Sequence, residues 1–181
     1  MFSRKKPQDI IGIDVGSSSI KLARLDKSGQ IPKLLNFSSF PVQAEAIVDG
    51  AIIARQAVVD AICSLVDSEQ IKTRDCCVGL SGHSVIAKKI GVPVMTEAEL
   101  EQAIEFEAEQ YIPDDVSDVN IDWQVLRSPD VDSAGEGEQM EVLLVAVKKD
   151  TIQDYISLMV ESGLTPRVVD LDALAIENVY E

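Results

Sequence analysis

Apolar and polar residues alternate in short runs along the first part of the chain, and glycine, serine or aspartate separates the runs. Ile10–Val15 and Ser19–Leu25 are predicted strands joined by a tight turn at Gly16–Ser18. Lys33–Phe40 is predicted to be a third strand. The pattern therefore predicts an antiparallel meander of three strands at the N-terminus.

The apolar spacing then changes from that of strands to that of a helix. Arg55–Asp67 carries apolar residues on one helical face. Cys76–Ser81 and Val85–Ile90 are further strand candidates on either side of a glycine-containing turn. Strands combined with a covering helix predict an α/β fold.

A second group of elements follows Pro93. Thr96 and Glu99 have the spacing of a capping box, which predicts a helix that stops before Pro113. The next predicted elements are two strands, a helix and a further strand, at Val119–Leu126, Glu141–Val147, Asp150–Gly163 and Pro166–Leu171, and a last short helix begins at Asp172. Residues 96–165 thus read α-β-β-α, which predicts a second subdomain inserted into the first, with segments 1–92, 93–165 and 166–181.

Charge narrows the classes of partner. The 181 residues have a formal net charge of −15, which repels phosphate backbones, so a nucleic-acid partner is not expected. Residues 97–141 contain fifteen Asp and Glu against one basic residue, Arg127. This segment is either a solvated face or a docking surface for a basic partner segment.

Cysteine and histidine usage argues against metal and disulfide chemistry. The three cysteines lack Cys-x-x-Cys spacing and the single histidine is His83, so a zinc site is not expected. No signal peptide or membrane-length apolar run is found, and the sequence predicts a cytosolic protein.

The turn after the first strand carries the most informative chemistry. It lacks both the Gly-Lys-Ser/Thr of a P-loop and the Gly-x-Gly-x-x-Gly of a dinucleotide site, and it joins strand to strand. Gly16 and the serines that follow can point successive backbone amides at one oxyanion. Ser17, Ser18 and Ser19 add hydroxyl donors.

Two charged residues flank this turn. Lys21 offers a flexible positive charge to a phosphate, and Asp14 can hold Mg²⁺ through water. Alternation along the strand places Asp14 on the face opposite Ile13 and Val15, away from the core. The alternative is a plain hairpin in which glycine and serine only reverse the chain.

The Asp-x-Gly-Ser-Ser-Ser-x-Lys hairpin at residues 14–21 resembles the first phosphate turn of actin-like ATPases. Within that superfamily the chain resembles the PilM family of type IV pilus assembly proteins. The stretches that match are the hairpin, the Asp49-Gly50 turn, Val78–Ser84, Glu97–Pro113, Ile121–Leu126, Val142–Val147 and Tyr155–Asp170. They follow the family's order along nearly the whole sequence.

The resemblance implies an actin-like (ribonuclease H-like) subdomain with an inserted FtsA-type α+β subdomain. It implies that ATP and Mg²⁺ are bound between two halves, with Asp14, Gly16, Ser17, Ser18, Ser19 and Lys21 in the first phosphate turn. It also implies a peripheral position on the cytoplasmic side of the inner membrane, where the family receives the N-terminal peptide of PilN in a groove between the first two subdomains.

The partner surface is assigned to the helix before Pro113. Phe106 faces away from the predicted apolar stripe, so it either contacts the first subdomain or forms a wall of the partner groove. Tyr111 and Pro113 complete this expected partner surface. Asp114 stands where the family has an apolar or aromatic residue, which predicts looser packing there.

The family chain is about twice as long and supplies a second phosphate turn that this sequence lacks. We therefore expect a partial chain with weak nucleotide binding and no turnover, and assign no catalytic residue. The alternatives are part of a sugar kinase, which would need a general base, and an FtsA-like division filament protein.

Overall fold

The computed structural model describes residues 9–80, 82, 85–129, 135 and 137–180. The chain forms two compact units, which are considered separately. The five-strand unit contains Met1–His83 and Ile152–Glu181, and the insertion unit contains Ser84–Thr151. Both the expected α/β sheet and an antiparallel α+β insertion are present.

The five-strand unit is built on a mixed sheet with strand order β10-β6-β1-β2-β3. Neighbours β1, β2 and β3 pair antiparallel, whereas β6 pairs parallel with both β1 and β10. A separate two-strand ladder joins β4 to β5. The strands are β1 (Ile11–Val15), β2 (Ser19–Asp26), β3 (Lys33–Pro41), β4 (Ile47–Val48), β5 (Ala51–Ile52), β6 (Asp75–Leu80) and β10 (Thr165–Leu171).

The side chains of β1 alternate between the two faces of the sheet, and one set contributes to the core of this unit. Ile11, Ile13 and Val15 are buried, while the residues between them are only half-buried. Helix α1 (Arg55–Ser68) packs against β2 and β3 and buries its apolar stripe. Burial of each such aliphatic side chain contributes roughly 1.5–3 kcal/mol, so this face determines the register of β1 and β2.

The insertion unit is a three-strand antiparallel sheet covered by one helix. Its strand order is β7-β9-β8, with strands β7 (Val85–Pro93), β8 (Val119–Arg127) and β9 (Gln139–Lys148). Helix α2 (Glu97–Ala108) buries Leu100, Ile104 and Ala108 against the sheet. A short 3₁₀ helix, Val116–Asp118, leads into β8.

Two further helices follow the insertion. Helix α3 is Lys149–Glu161, and α4 is Asp172–Tyr180. Gly163, two residues after the end of α3, has φ +74°, as predicted for a glycine that ends a helix. None of the helices in the described part of the chain combines the length and apolar character needed to cross a membrane.

The unit boundaries differ from the predicted 93 and 165. Strand β7 pairs with β9 along its whole length, which places it in the insertion unit. Most of α3 lies in the five-strand unit, where the Tyr155 hydroxyl donates to the Gly50 carbonyl at 3.1 Å and Arg55 Nε lies 2.9 Å from Glu161 Oε2. These contacts join residues that are distant in sequence, so changes of local composition do not indicate the unit boundaries.

Candidate functional site

The β1–β2 hairpin brings the predicted phosphate-binding residues together. Asp14 pairs across the ladder with Lys21, and Val15 pairs with Ile20. Ser17 and Ser18 form the exposed tip of the hairpin. Residues 14–21 thus form one continuous hairpin, with its charged pair one step from the turn.

The backbone amide of Gly16 has a different partner from the one expected. It donates to the carbonyl oxygen of Ser19 at 3.2 Å, closing the hairpin internally. A Cβ atom added to Gly16 would lie 3.0 Å from that same carbonyl oxygen. The glycine therefore suits hairpin closure itself, and its amide bonds within the hairpin instead of pointing at an anion as the sequence suggested.

The tip still offers donors beyond Gly16. Among the described residues, no hydrogen bond engages the amide of Ser17 or Ser18. The carbonyl of Ser18 accepts from the Val42 amide at 3.1 Å, which fixes the tip to the segment after β3. The donors available to an anion are therefore the backbone amides and the hydroxyls of Ser17 and Ser18.

The hairpin tip lines a cavity of about 760 Å³. Glu45 and Asp49 line it as well, and both have positive φ, 62° and 51°, which is uncommon for residues other than glycine. Gly82 completes the wall, where an added Cβ would lie 3.0 Å from the Asp49 carbonyl oxygen. Strained non-glycine residues are often retained at binding sites. The sequence identifies the Asp49-Gly50 turn as a matching stretch but gives no signal for Glu45.

The charged pair lies on the other side of β1. Lys21 Nζ is 2.6 Å from Asp14 Oδ2, and the two side chains are 46% and 44% exposed. The prediction that Asp14 lies away from the core is confirmed. Such a half-exposed pair is worth only about 0–1 kcal/mol, so a phosphate and a hydrated cation could separate its members at low cost.

A second cavity lies on this side of β1, and two further carboxylates line it. Asp170 and Asp172 line it with Asp14 and Lys21, in a volume of about 290 Å³. The Asp172 carboxylate occupies the space where Gly79 would carry a side chain, so this glycine makes room for it. Asp170 lies in β10 and Asp172 directly follows it, and β6 separates this strand from β1. In the sequence this pair is visible only as an Asp-Leu-Asp run at the end of a predicted strand.

Direct metal coordination is not indicated by this arrangement. Within the described ranges no group of three or more His, Cys, Asp or Glu side chains is placed to hold a metal ion. A cation held through water by Asp14 remains compatible with the geometry. Burial raises the pKa of the Tyr155 phenol, and the charges of Asp172 and Asp14 raise it further, so this phenol stays a hydrogen-bond donor.

Thiol chemistry is also disfavoured. Cys63, Cys76 and Cys77 are all free thiols. Burial, with the adjacent Cys77 and Asp75, raises the pKa of Cys76 to about 11. Burial likewise raises the pKa of Cys63 and Cys77. Because the thiolate is the reactive form, none of these cysteines is set up as a nucleophile.

The expected partner residues have different environments. Phe106 is 69% exposed on α2, on the side away from the buried stripe. Tyr111 packs against the core of the insertion unit, with Lys88 Nζ 5.0 Å from its ring centroid, and Pro113 is exposed. Asp114 is held by Lys148 at 2.9 Å, so its departure from an apolar residue is compensated by an ion pair.

Comparisons with known proteins give consistent results. Residues 12–181 match the sequence profile of the family described as type IV pilus assembly protein PilM. A chain in the solved PilM–PilN type IV pilus biogenesis complex is 28% identical with a TM-score of 0.79, over 93% of this chain and 48% of that one. This chain therefore spans about half the length of that relative.

A second solved structure shows the same fold at lower identity. The cytoplasmic domain of EpsL, an inner membrane component of the Vibrio cholerae type II secretion system, has a TM-score of 0.59 at 18% identity, over 93% of this chain and 59% of that one. The expected fold class, an actin-like α/β subdomain with an inserted α+β subdomain, is confirmed.

Proposed function

We propose, from the premise that this chain belongs to the type IV pilus assembly protein PilM family, that it is a cytoplasmic scaffold for a PilN-like inner-membrane protein. A role in type IV pilus assembly follows from the family itself. The single observation that carries the finer proposal is the structural similarity to a chain of the PilM–PilN complex, at a TM-score of 0.79. The bound segment is the N-terminal cytoplasmic peptide of the partner, which places the protein peripherally at the inner membrane.

A peptide site requires exposed apolar anchors, and α2 supplies one. Phe106 presents most of its ring to solvent, and Pro113 is exposed beyond the end of the same helix. Tyr111 supports this surface from within, since it packs on the core that holds α2. Aromatic side chains of this kind commonly dominate the binding energy of an interface.

Nucleotide binding is the second part of the proposal. The amides and hydroxyls of Ser17 and Ser18 hold a phosphate oxygen of ATP at the hairpin tip, assisted by Ser19, with Gly16 keeping the backbone approachable. Lys21 leaves Asp14 to pair with the phosphates, and Asp14 orients a hydrated Mg²⁺. Two neighbouring carboxylates, Asp170 and Asp172, add negative potential that favours such a cation.

Peptide binding is tested with a fluorescently labelled N-terminal peptide of a PilN-type protein. Fluorescence anisotropy should show saturable binding to the parent chain, and Phe106→Ala should weaken it by about tenfold because an aromatic anchor is lost. Phe37→Ala is the matched control, since Phe37 is 65% exposed on β3 in the other unit. Equal affinities of the parent and Phe106→Ala would remove Phe106 from the site, and absence of saturable binding to the parent would contradict the scaffold proposal.

A further inference from the structure

Among the residues that the structure describes, no strand pairs with the outer edge of β8 in the insertion-unit sheet. Strand β8 is the outer strand in the order β7-β9-β8. The Trp123 amide of this strand donates to the Asp122 carboxylate at 2.9 Å. Because successive amides of a strand point to opposite sides, every second amide of β8 faces away from β9, toward the open edge. This edge can accept another strand.

A groove runs beside this edge, under α2. Its volume is about 490 Å³. Ile104 of α2 and the β8 residues Ile121 and Trp123 provide its apolar surface. Glu101 and Glu105 line it from the helix. A strand added to β8 would therefore meet an apolar surface flanked by two carboxylates.

The two carboxylates have the spacing of an extended chain. Glu101 and Glu105 are one helical turn apart, about 6 Å along the axis. Alternate residues of a strand, which face the same side, are about 6.7 Å apart. Two basic side chains at positions i and i+2 of a bound strand thus match the two carboxylates in spacing.

The charge of the groove selects the sign of its occupant. Neither Glu101 nor Glu105 forms an ion pair with a described residue, and like charges one turn apart repel each other. Lys149, the basic residue of the groove lining, donates to the Ser117 carbonyl at 2.6 Å. Residues 97–141 have fifteen acidic residues against Arg127, so a basic segment is attracted and an acidic one excluded.

We propose that this groove is a docking site for an extended, basic segment of a partner protein, which adds to β8 as a fourth strand. Main-chain hydrogen bonds to the β8 edge supply affinity, and alternate Lys or Arg side chains facing Glu101 and Glu105 supply specificity. The site lies within the insertion unit, and it does not depend on the hairpin residues or on Phe106.

Trp123 gives a direct readout, because it is the only tryptophan of the chain. The probe is a synthetic octapeptide that alternates lysine and valine, titrated against the 181-residue chain while Trp123 fluorescence is followed. Saturable binding is expected, and backbone resonances of Ile121, Trp123 and Val125 should shift in NMR spectra. The octapeptide with glutamate in place of lysine should not bind. A Trp123 signal and resonances that do not change with the lysine peptide would overturn the proposal.

Two double variants distinguish binding in this groove from nonspecific attraction of a basic peptide to an acidic protein. Glu101→Gln with Glu105→Gln should weaken binding of the lysine peptide about tenfold. Glu107→Gln with Glu109→Gln removes the same charge at the C-terminal end of α2, outside the groove lining, and should change affinity by less than about twofold. Equal losses in the two double variants would overturn the groove assignment.

Strand addition is tested on the peptide side. Methylation of alternate backbone nitrogens removes the donors that would pair with β8 and keeps every lysine. Loss of binding on methylation in one alternation and not the other supports a strand at this edge. Equal binding of the unmodified and both methylated peptides would show that the segment does not bind as a strand.

Discussion

At the tip of the first hairpin, the carbonyl oxygen of Ser19 lies 3.0 Å from the point where a side chain at residue 16 would begin. The same glycine fits a phosphate turn and a closed hairpin, so its presence alone does not distinguish the two. The close approach of the Ser19 oxygen to the Cβ position accounts for the glycine without any ligand. The amides and hydroxyls of Ser17 and Ser18 are what distinguish a phosphate site from a simple turn.

A side chain at residue 16 should therefore affect folding. In Gly16→Ala the added methyl group meets the Ser19 carbonyl oxygen, which must shift by a few tenths of an ångström. We expect a loss of about 1–3 kcal/mol in the free energy of unfolding, measured by urea denaturation. Gly29→Ala is the control, because its nearest contact would be an ordinary 3.7 Å. If Gly16→Ala unfolds at the same urea concentration as the parent, the close approach does not constrain the hairpin.

Single residues were predictable from the sequence where the alternation of a strand determined their environment. Asp14 was placed away from the core in this way, and its side chain is half-exposed. Asp170 and Asp172 were not identified, because they reach Asp14 only through the parallel pairing of β10 with β6 and of β6 with β1. Parallel neighbours are separated by long connections, and a local pattern carries no information about which strands meet.

At the scale of elements, the residues around the start of α2 determine by themselves where this helix begins. The predicted capping box is confirmed: the Glu99 amide donates to Thr96 Oγ1 at 3.3 Å, and the Thr96 amide donates to Glu99 Oε2 at 2.9 Å. The hydrogen bonds from the Thr96 backbone and side chain lower the pKa of Glu99. The contribution of this carboxylate to stability is thus present above its unfolded-state pKa and is lost as the pH falls through its folded-state pKa.

Glu99→Gln tests this linkage. The variant should be less stable than the parent at neutral pH and should approach the parent as the pH falls through the Glu99 pKa, because the parent's advantage requires the charged carboxylate. Thermal unfolding at a series of pH values measures the difference. Thr96→Ala is the companion variant, expected to lose about 1 kcal/mol through the missing cap. A stability difference between Glu99→Gln and the parent that stays constant with pH would contradict the linkage.

Other elements show where periodicity is insufficient. In helix α3, Val160 is 58% exposed, whereas Leu158 is buried with Tyr155 and Met159. Val160 and Leu158 both fit a helical stripe, and the choice between them depends on how the helix is rotated against its neighbours. Helix α2 ends at Ala108, several residues before Pro113, in a turn where Ile112 donates back to the Ala108 carbonyl.

At the scale of the whole molecule, element order was predictable and unit boundaries were not. The run of strands, helices and inserted elements follows the hydrophobic pattern closely. The unit boundaries at residues 84 and 152 reflect the long-range pairing of β7 with β9 and two contacts of α3. In these contacts Tyr155 donates to the Gly50 carbonyl, and Glu161 pairs with Arg55. Family membership was reached from matching stretches spread along the chain, and the profile match over residues 12–181 agrees with it.

The observations on residues, on the hairpin and on family membership all support phosphate binding at the hairpin. For the 181-residue chain we expect Mg-ATP affinity weaker than low micromolar, because one binding surface excludes little water. Lys21→Met should lower that affinity at least about fivefold through loss of a half-exposed charge-assisted contact. Lys33→Met, an exposed lysine at the start of β3, is the matched control.

The most direct measurement is an NMR titration of the isotope-labelled chain with Mg-ATP. The largest shifts are predicted for the amides of Ser17 and Ser18, with saturation at lower ATP concentration in the parent and Lys33→Met than in Lys21→Met. Ser17 and Ser18 amides that do not move at high Mg-ATP, or a Lys21→Met titration that superimposes on the parent's, would show that the hairpin only reverses the chain.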